Sequence, residues 1–163
     1  MAMNPCPCGW YGDSRRACRC TVPQIINYRK KISGPLLDRI DIQLEVSALG
    51  SKQLISDQAA EDSESIRSRI EKCRRIQIER FKDTGIFCNA HMNSKQIKQF
   101  CTLDDECKKF IQQALEQMHL SARGYDRVIK VARTIADLEE SERISLSHIS
   151  EALQYRSFDR ELW

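Results

Sequence analysis

Little in this 163-residue sequence breaks a chain or builds a membrane span: it has four prolines, six glycines and 7% aromatic residues. No apolar run approaches the roughly 20 residues that a spanning helix needs. The first residues lack the basic start and apolar stretch of a signal peptide, so the expected compartment is the cytoplasm and no membrane partner is expected. Histidine is scarce too. The three that occur are isolated, and none pairs with a serine or cysteine as nucleophile and base would, which argues against intrinsic hydrolase chemistry. Excess charge of one sign is also missing, with 26 Lys and Arg against 23 Asp and Glu. A surplus that small does not identify a nucleic-acid binder by itself. At 41% apolar and 30% charged, the chain is neither disordered nor fibrous, and its length supports one compact domain, or one plus an appendage.

What is there is unevenly placed. Residues 1–47 carry seven Lys and Arg against four Asp and Glu, and the remainder carries nineteen of each, so the whole surplus lies in the first piece. Eight cysteines are present. Cys6, Cys8, Cys18 and Cys20 form C-x-C, a nine-residue gap, and C-x-C again. Cys73, Cys88, Cys101 and Cys107 are scattered among apolar positions.

The pattern along the chain gives a mainly α protein. Up to Cys20 the sequence reads as an irregular loop punctuated by Pro5, Pro7, Gly9 and Gly12. A short basic helix is expected from Val22 to Ile32, with Thr21 as N-cap and Pro23 in its first turn, stopped by Ser33-Gly34-Pro35. Ile40, Ile42, Leu44 and Val46 then alternate with polar residues, predicting one half-buried strand. It has no convincing partner elsewhere in the chain, and a lone strand cannot satisfy its own backbone.

A polar linker covers 48–62, and helical patterns fill 63–163. The longest runs from about Ser63 to Lys82 with Ile66, Ile70, Cys73 and Phe81 on one stripe. Another starts at Asn93 or Ser94, and one at Asp104 or Asp105 with Cys107, Phe110, Ile111, Ala114, Leu115 and Met118 facing inward. Ser121 caps a helix with Tyr125, Val128, Ile129, Ala132, Ile135 and Ala136 inward, and Ser145 caps the last, with Ile149, Ala152 and Leu153 inward. The expected divisions are 1–47, 48–62 and a helical bundle over 63–163.

The two C-x-C pairs carry the clearest chemistry. Thiolates are soft donors, and four of them close a tetrahedral zinc site. Zn²⁺ at Cys6, Cys8, Cys18 and Cys20 is the leading reading. Free or redox-active thiols remain open, and disulfides are disfavoured by the compartment. A second set, Cys88, His91, Cys101 and Cys107, can be drawn, but Cys101 and Cys107 sit where core residues belong. Around the loop, Arg15, Arg16, Arg19, Arg29, Lys30 and Lys31 could track a phosphate backbone, with Trp10 and Tyr11 available for stacking; a solvated basic face is the plainer alternative. Arg39, in a rigid turn before the strand, could meet a phosphate or pair with Asp38 or Asp41. Arg123 lies in the first turn of a helix, where a cation opposes the macrodipole and so suggests a partner anion. Arg127 and Lys130 continue that face, while Arg133 lies off it.

In order, Asn4-Pro5-Cys6-Pro7-Cys8-Gly9, Cys18-Arg19-Cys20, Ile32-Ser33-Gly34-Pro35-Leu36-Leu37-Asp38-Arg39-Ile40-Asp41, Leu120-Ser121-Ala122-Arg123-Gly124-Tyr125-Asp126-Arg127, Val131 to Leu138, and His148 to Arg156 resemble the C-terminal part of the magnesium-chelatase-related AAA+ ATPases of the ComM/YifB type. The resemblance spans essentially the whole chain. It implies a helical AAA+ lid over 63–163, preceded by a remnant of the α/β core to which the orphan strand belongs. Asn4 would be sensor 1, orienting the attacking water. Arg39 would be the arginine finger that reaches a neighbouring subunit's nucleotide. Arg123 would be sensor 2, with Arg127 the fallback for that role.

The sequence has no G-x-x-x-x-G-K-[ST] and no acidic Walker B strand, so nothing in it cradles β- and γ-phosphates. The resemblance therefore implies a piece beginning just before sensor 1, with ATP and Mg²⁺ bound in the longer parent and no hydrolysis by this piece alone. It further implies a hexameric ring motor that processes DNA in competence and recombination, with Arg15, Arg16, Arg19, Lys30 and Lys31 as DNA contacts. Two alternatives stand beside this: an autonomous zinc-binding nucleic-acid or protein-interaction module, and a chelatase-type motor acting on a protein.

Overall fold

The computed structural model describes residues 1–46 and 61–156, which fall into two units. All the regular structure among the described residues is helical. In the first unit, α1 (Val22–Arg29) is preceded by Thr21, whose amide is accepted by the Gln24 side chain at 2.9 Å. It ends earlier than Ile32. Ser33-Gly34-Pro35, expected only to stop it, opens a second short helix, α2 (Gly34–Leu37), because Ser33 is extended and the Pro35 ring presets a helical φ.

The strand expected over Ile40–Val46 is not present. No ladder forms among the described residues, and the exposures run opposite to the expectation. Ile42, Leu44 and Val46 are 49%, 65% and 90% exposed, while polar Gln43 is buried. A strand exists only through bonds to a neighbour, and the described residues supply none. The expected linker lies outside the described residues except for its last two positions.

The second unit begins with α3 (Ser63–Arg80), whose N-cap Asp62 accepts the amides of Glu64 and Ser65 at 2.9 and 2.8 Å. A 3-10 turn, Asn89–His91, follows. Asn93 caps α4 (Ser94–Phe100), accepting from Lys95 and Gln96. Asp104 caps α5 (Asp105–Met118), and Ser121 caps α6 (Ala122–Leu138), accepting from Gly124 at 3.1 Å. The last helix among the described residues is α7 (Leu146–Gln154). Capping of this kind satisfies amides that have no partner within the helix, which is why these starts were readable.

The apolar core gathers the expected faces of α5, α6 and α7. Ile129, Ala132, Ala136 and Ile149 have no exposed surface at all, and the Phe81 and Phe100 rings meet edge to face with centroids 5.3 Å apart. The expected stripe of α3 is only half right. Cys73 and Phe81 are buried, but Ile66 and Ile70 lie exposed and outside the apolar core.

A polar cluster ties α3 to α6. The Asp137 carboxylate, wholly buried, receives both Arg80 and Arg133. Arg80 Nη1 donates to Asp137 Oδ2 at 2.6 Å and to Asn89 Oδ1 at 3.1 Å. Arg133 Nε donates to Asp137 Oδ1 at 3.0 Å, and its two outer nitrogens cap the carbonyls of Ser141 and Glu142 beyond the end of α6. Asn89 Nδ2 donates to Asp137 Oδ2 at 2.7 Å and to Thr134 Oγ1 at 3.0 Å. Burial lowers the Arg133 pKa from its usual value, and Asp137 opposes that shift.

Removing one partner of a buried pair strands the other charge. Asp137→Ala is therefore expected to destabilise the second unit by about 3–5 kcal/mol in urea unfolding. Lys72→Ala, which removes an exposed ion pair with Glu140, is expected to leave the midpoint where it was.

Candidate metal centre and basic surfaces

Two tight turns build the cysteine cluster. The Gly9 amide donates to the Cys6 carbonyl at 3.0 Å, and Gly9 sits at φ +80°, a left-handed conformation that a side chain would strain. This reverses the chain directly after Cys8. Asp13 donates back to the Trp10 carbonyl at 3.2 Å, with Gly12 at φ +82° between them.

The second C-x-C then closes on the first. Cys6 Sγ lies 3.4 Å from Cys8 Sγ and 3.7 Å from Cys18 Sγ, and Cys8 and Cys18 are 3.6 Å apart. All four sulfurs, Cys20 included, fall within 4.8 Å of one another. Four thiolates about 2.3 Å from a common tetrahedral centre stand about 3.8 Å apart. The observed spacing suits that geometry and is well beyond the roughly 2.05 Å of a disulfide. The residues present thus fit one thiophilic metal ion.

The electrostatics agree. Cys8 is drawn down to about 6, chiefly by the backbone amides of Arg19 and Trp10 directed at its sulfur. Burial opposes ionisation of Cys6, yet its thiol is also lowered, with the Tyr11 and Cys8 amides and the Cys18 side chain acting against that burial. Cys18 is helped by the Cys20 amide but raised by desolvation and the neighbouring sulfurs. Desolvation first, and the other sulfurs after it, push Cys20 up to about 12. Four sulfurs this close cannot all carry charge without a cation to share. A divalent ion would displace the remaining protons, so binding strengthens as pH rises and fails as it falls.

The alternative set is not brought together. Cys101 and Cys107 are core residues, their thiols pushed up to about 11 by burial. Cys107 Sγ is directed at the Ile144 carbonyl and Cys101 Sγ at Met92 Sδ. Among the described residues, Cys6, Cys8, Cys18 and Cys20 are the one group with metal-holding geometry.

The basic residues around the cluster differ in their partners. Arg15 is bound to Asp13 through both its backbone amide, at 2.7 Å, and its guanidinium, at 2.8 Å. That pairing, the Arg15 side chain first, holds the Asp13 carboxyl down to about 2. Arg16 stacks over Trp10 at 4.8 Å, Arg29 over Tyr11 at 5.0 Å, and Lys31 sits 5.6 Å from the Tyr28 ring. Arg29 Nε also donates to the Pro5 carbonyl at 3.2 Å, fastening the cysteine turn to α1. Arg19 and Lys30 are exposed.

Of the remaining sequence candidates, Asn4 is exposed at the start of the cysteine turn, its amide lying against Gly9. Arg39 is exposed just beyond α2. Arg123 is exposed in the first turn of α6, and Arg127 is half-buried one turn on. Lys130 donates to the Ala90 carbonyl at 3.0 Å. Asn4 and Arg39 belong to one unit, Arg123 and Arg127 to the other. The sequence reading missed the Asp137 cluster, although Arg133 and Asp137, four apart, share the stripe of Ile129 and Ala136. Their spacing was the available signal.

Purified under reducing conditions, the chain is expected to carry one metal ion, measured by elemental analysis. Cys6→Ser and Cys18→Ser are each expected to abolish it, and metal content near zero in the unaltered chain would overturn the assignment.

Two family descriptions match this chain. "Magnesium chelatase, subunit ChlI" matches residues 1–54 and "Magnesium chelatase, subunit ChlI C-terminal" matches residues 60–156. Among individual proteins, competence protein ComM of Haemophilus influenzae is 42% identical over 163 residues, and YifB of Escherichia coli is 37% identical over 165. YifB of Salmonella typhimurium is 36% identical over 163 residues. Each match covers 99% of this chain but 31% of the relative, so the chain spans about a third of their length. No helix among the described residues is long and apolar enough to cross a membrane.

Proposed function

Because the chain belongs to the magnesium chelatase ChlI family, we propose that it is the sensor and lid portion of a AAA+ ATPase that works on DNA. The observation that carries this reading is Arg123. Its guanidinium is exposed at the positive end of α6, and no carboxylate among the described residues pairs with it. A cation in the first helical turn is opposed by the macrodipole, and an arriving polyphosphate relieves that cost. Arg123 is thus sensor 2, with Arg127 in reserve. Arg39 is the arginine finger that meets the nucleotide of a neighbouring subunit in a hexameric ring, and Asn4 is sensor 1. In this scheme 1–47 is the last piece of the α/β core and 63–163 the lid.

ATP and Mg²⁺ belong to the parent, since this sequence has no P-loop to cradle phosphates. Zn²⁺ is the metal at the four cysteines, as all-sulfur tetrahedral sites favour it. Its part is structural: with four protein ligands it keeps no open position for substrate. One relative is named a competence protein, which supports DNA as the partner, as does the excess positive charge of the first 47 residues.

Steady-state hydrolysis tests the scheme. The 163-residue chain alone is expected to release no phosphate above a blank. In the full-length parent, Arg39→Ala is expected to lower kcat by about 10³-fold or more, with ring assembly retained. Arg123→Ala is expected to uncouple nucleotide binding from turnover. Turnover by the isolated chain, or full activity in both variants, would overturn the assignment.

A further inference from the structure

We propose that the cysteine turn and α1 together form a stacking surface for single-stranded nucleic acid. Trp10 and Tyr11 present the rings, and Arg16, Arg19, Arg29 and Lys30 supply the charge. The proposal rests on the nucleic-acid reading above and narrows it to one strand state and one set of residues.

Three observations carry it. Cation–ring stacks occur about once in 70–80 residues of ordinary protein, yet three fall here between Trp10 and Lys31. Each places a basic head on an aromatic ring at the surface, and Tyr11 remains 46% exposed. A base stacks on a ring or on the plane of a guanidinium, and every base has such a face, so this chemistry tolerates any sequence.

The rings are also held in place. Trp10 and Tyr11 follow the turn closed by Gly9, and the Trp10 and Tyr11 amides are directed at Cys8 and Cys6. Arg29 bonds the Pro5 carbonyl and stacks on Tyr11 at once, joining the turn to α1. Fixed rings forfeit little entropy on binding, and a metal in the cluster would fix them further.

The charge is sorted as well. Arg15 is neutralised by Asp13, whereas among the described residues no carboxylate pairs with Arg16, Arg19 or Lys30. A duplex keeps its bases stacked inside and offers nothing to these rings, and the loop presents no long helix to a major groove. Unpaired strands are therefore the class that uses both the rings and the cations.

The test uses the full 163-residue chain, metal-loaded, titrated with a fluorescein-labelled oligothymidylate of about 12 nucleotides and followed by anisotropy. Trp10 emission is read in a Trp163→Phe background. Binding is expected to weaken steeply with salt and to quench Trp10. Trp10→Ala and Tyr11→Ala are each expected to weaken it about 5- to 150-fold, while Trp10→Phe and Tyr11→Phe retain most of it.

If the alanine variants bind like the parent chain while Arg16→Glu with Arg19→Glu abolishes binding, the contacts are to phosphate alone. Stacking is then refuted and the nucleic-acid reading survives. A blunt duplex bound as tightly as the single strand also refutes it. Binding of neither refutes both. Should an alanine variant lose its metal or its helical circular dichroism, the Trp10 emission decides, and an unquenched Trp10 in the folded chain refutes the proposal.

Discussion

One carboxylate holds the second unit together. Asp137 lies at the end of α6, with no exposed surface, and takes a guanidinium from α3 and another from its own helix. A buried charge in so poor a dielectric is tolerated only when it is fully hydrogen-bonded, and Asn89 provides the remaining donor. The consequences spread outward. Arg133 reaches past Asp137 to cap the carbonyls that follow α6, which sets the path into α7. Asn89 is fixed through its own amide to Gln77, so the 3-10 turn is registered against α3. The polar cluster sets the register of these helices, since a rotation of α3 by one residue would remove Arg80 from its only buried anion.

The first unit rests on different physics. Among its described residues, Cys6, Ile25 and Leu37 are the buried apolar side chains, too few for a core. Its conformation is fixed instead by tight turns, by Arg29 stapling the cysteine loop to α1, and by four sulfurs that gather round one centre. Where apolar burial is this meagre, binding free energy from a metal at the four cysteines would take the place of a core. With a metal held there, the two halves of the chain would respond to different insults: chelation and acid on the first, loss of a buried ion pair on the second.

The helices of the second unit were legible because their starts are chemical. Asp62, Asn93, Asp104 and Ser121 each place an oxygen where orphan amides lie, and the apolar spacing of α5 and α6 continues from there. The cysteine cluster was legible for the same local reason, its ligands lying within fifteen residues. The Asp137 cluster was not, since Arg80 and Asp137 are 57 positions apart and a polar residue on an inward stripe does not announce its partner. The strand over Ile40–Val46 failed differently. Alternation records which residues would share a face, but whether a neighbour covers that face is decided elsewhere. Ile66 and Ile70 mislead in the same way, since periodicity marks a stripe without saying how far along the helix it is covered.

The arginines sort by the same criterion throughout. Arg15, Arg69, Arg80 and Arg133 each meet a carboxylate, and each stays near its own element or holds two together. Arg16, Arg39 and Arg123 have no such pairing among the described residues, and for Arg123 this holds although carboxylates are abundant in the second unit. The second unit, with nearly balanced charge, could neutralise Arg123, and there the helix end makes an unbalanced cation actively unfavourable. In the proposed scheme, the cations left unmatched at a turn, after a short helix and at the head of α6 meet negative charge from outside the chain. Phosphate is the anion common to nucleotide and nucleic acid, and the planar fork of arginine suits it better than lysine does. The ATPase reading and the stacking surface thus draw on one physical distinction, between cations the fold consumes and cations it presents.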